Sequence, residues 1–155
     1  TSIAYRENST PVLFDFVVEK SIPPYYLPIE LFLLNCFLKD EKPTLSIQNI
    51  EEICLRYERI TGTKIERKRL HDSVKFFAHV VNKPRSETIR ILTQYKSQWH
   101  IFGLASVFIQ LISILDIDIL PKFISEVLFQ CVSLLPNERL TSQEIHNKWC
   151  TNRKI

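Results

Sequence analysis

Only two glycines, Gly62 and Gly103, occur in 155 residues, and they stand far apart. A glycine-rich loop that wraps backbone N–H groups around a phosphate is therefore excluded. Folds that turn tightly at many places are disfavoured as well, because such turns need residues with positive φ. Methionine is absent and the first residue is Thr1, which reads as a piece of a longer protein. The cysteines are Cys36, Cys54, Cys131 and Cys150, with no Cys-x-x-Cys pair and no histidine at zinc-finger spacing. That pattern predicts reduced thiols, no metal site and an intracellular protein. An even cysteine count, together with the sequon Asn8-Ser9-Thr10, keeps one alternative open: a secreted helical-bundle ligand with two disulfides. The polar segment Thr1 to Thr10 does not read as a signal peptide. The most apolar run, Ile101 to Leu115, is broken by Gly103, Ser106, Gln110 and Ser113. It is too short to cross a bilayer, so it predicts a central buried helix and no membrane partner.

What is present is the composition of a packed chain, 45% hydrophobic and 24% charged. The periodicities are helical, and the expected class is all-α or nearly so. Residues 1–27 read as an extended arm, with alternation over Val12 to Val18 and a stiff stretch containing Pro23, Pro24 and Pro28. Residues 28–95 read as a core of three helices. The first runs from about Pro28 to Lys39 and is apolar nearly all round. The second is capped by Ser46 with a stripe at Ile47, Ile50, Ile53, Cys54, Tyr57 and Ile60. The third opens on a capping box, Thr63 with Glu66, and faces inward through Ile65, Leu70, Val74, Phe77 and Val81. Thr88 to Tyr95 alternates like a strand, whereas Ser86 suits a helix cap. Residues 96–155 read as a helical extension on the same core. It comprises a helix over 97–115 broken at Asp116, a helix from Pro121 to about Leu135, and a last one capped by Thr141 with Glu144.

Charge placement is the most informative feature. Between Arg56 and Arg90 there are ten basic residues against four acidic ones, while the rest of the chain is mildly acidic. A segment of one sign attracts phosphates, and the attraction weakens with salt. Helix, short turn and helix is the connectivity of a helix-turn-helix, whose second helix reads the major groove from its amino end. The candidate nucleic-acid-binding residues are Lys64, Arg67, Lys68, Arg69, His71, Lys75 and Arg85. Residues 28–95 resemble winged-helix folds in architecture, without a signature motif. That resemblance puts residues 83–95 in the place of the wing.

No catalytic arrangement accompanies these features. His71, His79, His100 and His146 lie in no metalloprotease, hydrolase or Cys/His nucleophile motif, and His79 and His100 read as structural. No cofactor or small-molecule substrate is implied. Candidate partner-binding residues are Tyr25 and Tyr26 in the proline-rich stretch, with Trp99 and Trp149 at helix ends. The expectation is a non-catalytic protein-interaction or assembly domain of an intracellular complex, nuclear and associated with DNA or chromatin. Its partner would be another protein or a second copy of itself, and double-stranded DNA through its phosphates is the alternative.

Overall fold

The computed structural model describes residues 27–40, 42–61, 65–117 and 120–152. They form seven α-helices and two short 3-10 turns, and no strand occurs among the described residues. The all-α class is therefore the observed one. Of the arm expected over residues 1–27, residues 1–26, with the sequon, the Val12 to Val18 alternation, Tyr25 and Tyr26, lie outside the described residues.

Helix α1 (Ile29–Lys39) starts one residue after Pro28, whose carbonyl accepts from the N–H groups of Leu31 and Phe32. Ile29 through Leu34, Cys36 and Phe37 are all buried, as an all-round apolar helix requires. Helix α2 (Ile47–Thr61) has the expected serine cap: Ser46 Oγ accepts from the Asn49 N–H at 3.1 Å. Asn49 Oδ1 returns the bond to the Ser46 N–H at 3.2 Å, closing a capping box with an amide in the usual place of Glu or Gln. Its inner face is Ile50, Ile53, Cys54 and Tyr57, whereas Ile47 and Ile60 are exposed.

Helix α3 (Arg67–Phe77) begins later than the capping-box pattern suggested. Glu66 is the cap residue itself, in extended backbone and without a side-chain capping bond, while Thr63 lies outside the described residues. The preceding segment is held instead by Glu58, whose Oε1 accepts from the Ile65 N–H at 3.1 Å. The inward residues are as expected, with Phe77 fully buried and Ile65, Leu70, Val74 and Val81 packed on the core. After a 3-10 turn over Ala78–Val80, Asn82 takes a positive φ of 56° and donates its N–H to the Leu45 carbonyl. Asparagine visits that left-handed region at low cost. An isolated parallel bridge between Leu45 and Val81 ties the start of α2 to the end of α3.

Residues Arg85–Thr93 form helix α4, so the strand alternative for Thr88 to Tyr95 is not realised and no wing occupies this place. Ser86 sits inside the helix, and the cap position belongs to Pro84. Helical spacing wins because it buries Thr88 and Leu92, four residues apart, on one face. Helices α5 (Lys96–Ile114) and α6 (Lys122–Cys131) form a hairpin, and Asp116, at a φ of 53°, turns the chain after α5. Helix α6 stops short of Leu135. The non-helical backbone that follows leaves the Ser133 and Leu134 carbonyls available to Arg139. A 3-10 turn (Pro136–Glu138) leads to helix α7 (Ser142–Asn152). There Thr141 and Glu144 make the expected reciprocal cap, and the Thr141 N–H holds the Glu144 carboxyl below its ordinary range.

The main core gathers α1 to α4 around Phe37, Phe77, Leu33, Leu34 and Ile50, with Leu135 closing it from the carboxyl-terminal side. A second, smaller cluster joins α5, α6 and α7 through Ala105, Cys131 and Leu140. Between the two lies a salt bridge of complete burial. Arg139 donates to both carboxylate oxygens of Glu30, at 2.5 and 2.9 Å, and neither side chain is exposed.

Candidate interaction surface

Helix α5 is apolar on both sides, but only one side is covered. Phe102, Ala105 and Ser106 are buried, and Ser106 satisfies its hydroxyl internally by donating to the Phe102 carbonyl at 2.8 Å. The other side carries Leu104, Val107, Phe108, Leu111, Ile114 and Leu115, all exposed, with Ile114 76% and Leu115 65% accessible. The expected central buried helix is thus a flank helix. The physical reason is that α5 packs on α6 and on the α1 to α4 core from one side only, with nothing of the described chain over the other. By length and composition α5 would reach across a bilayer, the one such helix among the described residues. The 19-residue helix exceeds the apolar run from which a shorter span was expected.

The basic candidates separate into three fates. Arg67, Lys68, His71 and Lys75 are exposed on α3, and their spacing places them on adjoining faces of that helix. Arg69 is ion-paired with Glu138 at 2.5 Å, at the edge of a cleft of about 700 Å³ that Tyr57, Ile65, Phe102 and Ile109 also line. Arg85 is turned toward the end of α1. Its guanidinium donates to the carbonyls of Phe37, Leu38 and Lys42 and lies 5.0 Å from the Phe37 ring centre. Lys64 lies outside the described residues.

Trp99 is packed against the main core, and its Nε1 has no hydrogen-bond partner among the described residues, so it is a core-edge residue. Trp149 is 45% exposed, with its ring 5.7 Å from that of Phe123. Tyr25 and Tyr26 lie outside the described residues. Sequence reasoning missed the exposed apolar face of α5, because an all-round apolar helix reads the same whether or not its second stripe meets the rest of the chain.

His79 bonds to the Phe76 carbonyl through Nδ1 at 2.5 Å, as a structural histidine would, although it is itself exposed; His71 is exposed too, and so is His100, against the structural role expected of it. His146 Nε2 does lie 3.5 Å from Cys150 Sγ, a pairing one helical turn apart that motif reading did not register. Both residues are exposed on α7. No group of three metal-ligating side chains occurs among the described residues.

All four cysteines are free, contrary to the two-disulfide alternative. Burial pushes the Cys54 thiol up to about 12 and raises those of Cys36 and Cys131, which makes all three poor nucleophiles. A thiol reagent applied to the folded chain is expected to label Cys150 fast and the other three slowly, with four labelled in denaturant. Two labelled cysteines, or none, in denaturant without reductant would instead mean disulfides.

No protein-family model, no curated protein and no solved structure matches the chain.

Proposed function

We propose that the chain is a non-catalytic protein-interaction and assembly domain whose docking surface is the exposed face of α5. The observation that carries this reading is the unbroken apolar stripe from Leu104 to Leu115 on the outside of a folded body. Contiguous apolar surface beyond a few hundred Å² is rare on monomers and marks interaction sites. Burying such a stripe is favourable at roughly 25 cal/mol per Å² before the costs of association are met.

A photo-crosslinking phenylalanine analogue at Leu111 tests the reading, with the same group at the exposed Lys148 as control. Applied in extract of the source cells, the probe at position 111 is expected to form a discrete adduct with a protein, and the control is not. If position 111 gives no protein adduct, or gives the same diffuse labelling as position 148, α5 is not a docking face.

A second reading, direct binding of nucleic acid, is favoured by the exposed group Arg67, Lys68, His71 and Lys75 on α3. The order of α1, α2 and α3 is that of a helix-turn-helix, with α3 in the position of the reading helix. Affinity for duplex DNA that falls as salt rises is its signature.

A further inference from the structure

We propose that the occupant of the α5 face is a second copy of this chain, packed antiparallel about a two-fold axis that passes between Phe108 and Leu111. This occupant presupposes the docking role of α5 and names the partner. Leu104 and Leu111, Val107 and Ile114, and Phe108 and Leu115 are each seven residues apart. They therefore recur in line down one side of the helix, the repeat on which helices pair by knobs into holes. The stripe is about 17 Å long at ~1.5 Å per residue.

The apolar surface suits a dimer. Leu104, Val107, Phe108, Leu111, Ile114 and Leu115 are each between 41% and 76% exposed, a contiguous patch of the kind that marks an interaction site rather than ordinary monomer surface. The charge pattern suits a partner identical to the first. No Asp, Glu, Lys or Arg lies between Ile101 and Leu115. Across a two-fold axis residue i meets j and j meets i, so a charge near the axis would face its own sign. The antiparallel sense opposes the helix dipoles. It also brings Asp116 of each copy toward the amino-terminal half of the other α5, where His100 is exposed. A helix lying flat in a lipid interface is less well matched. Interfacial helices carry lysine and arginine beside the apolar stripe, and none occurs between Lys96 and Lys122.

Sedimentation of the full chain from about 1 to about 100 µM tests this, and a two-chain species is expected in the upper part of that range. Leu111→Glu and Leu111→Lys should each weaken self-association by about a hundred-fold, because each sets like charges against each other at the axis. An equimolar mixture of the two variants should restore the two-chain species, a rescue that neither misfolding nor lipid binding would produce. A wild-type chain that stays monomeric throughout overturns the proposal, as does a mixture that stays monomeric. Flotation with phosphatidylcholine vesicles, without self-association, would assign the face to lipid instead. A large fall in the melting temperature of Leu111→Glu, compared with the wild type at a concentration where both are monomeric, would show the face to be covered by the chain itself. A monomeric wild type whose position 111 crosslinks to a protein of different mass removes the second copy and keeps the docking role. No adduct at all removes both.

Discussion

Glu30→Ala is expected to destabilise the fold by about 3–5 kcal/mol, which for a chain of this size is a loss of roughly 10 °C in melting temperature. The reason lies with the partner rather than with the glutamate. Arg139 is fully buried, and its guanidinium reaches Glu30 through Nη1 and Nη2. The same group donates Nε to the Ser133 carbonyl at 2.7 Å and Nη2 to that of Leu134 at 2.9 Å, and it lies 4.8 Å from the Phe102 ring centre. Arginine cannot shed its proton, so removing the carboxylate leaves a cation in the interior with nothing to neutralise it. Truncating both partners is a different matter. Glu30→Leu with Arg139→Met removes the charges together and is expected to recover most of the lost stability, since well-packed apolar residues replace buried ion pairs at little cost. Thermal melts of the two single variants and the double one check the prediction. A Glu30→Ala chain that melts within a degree or two of the wild type would mean that the pair is hydrated in solution.

That pair joins residues 109 positions apart, and nothing local in the sequence announces it. Glu30 is the one carboxylate in a helix that is otherwise nearly all apolar, yet it is among the most buried residues. Local chemistry was legible where the partners are three or four residues apart. The caps at Ser46 and Thr141, four of the six stripe residues of α2 and the inward face of α3 all follow from spacing alone. The failures share a cause, because tertiary geometry decided them. Whether Thr88 to Tyr95 coils or extends depends on the surface that receives Leu92. Whether α5 is central or flanking depends on how many neighbours reach it. The site divides along the same line. The basic residues of α3 were identifiable by charge, whereas the inward turn of Arg85 needs the end of α1 to be in place.

Arg85→Ala is accordingly expected to act on stability and not on nucleic-acid affinity, lowering the unfolding free energy by about 2–3 kcal/mol. The last carbonyls of a helix have no partner within it. At the end of α1 those of Phe37 and Leu38 take theirs from Arg85, at 3.2 and 3.0 Å, and the Lys42 carbonyl in the following loop takes a third bond at 3.0 Å. A cation in that position also opposes the negative end of the helix dipole. Arg85→Lys keeps the charge but loses the planar fork, so it should restore only part of the loss. Duplex DNA separates this structural role from a phosphate contact. If α3 binds duplex, Lys68→Ala should reduce the slope of log affinity against log salt by about one. Arg85→Ala, measured below its own melting transition, should leave that slope unchanged. The opposite pattern, an unaltered melting temperature with a reduced slope, would place the Arg85 guanidinium on the outside of the molecule and return it to the basic face.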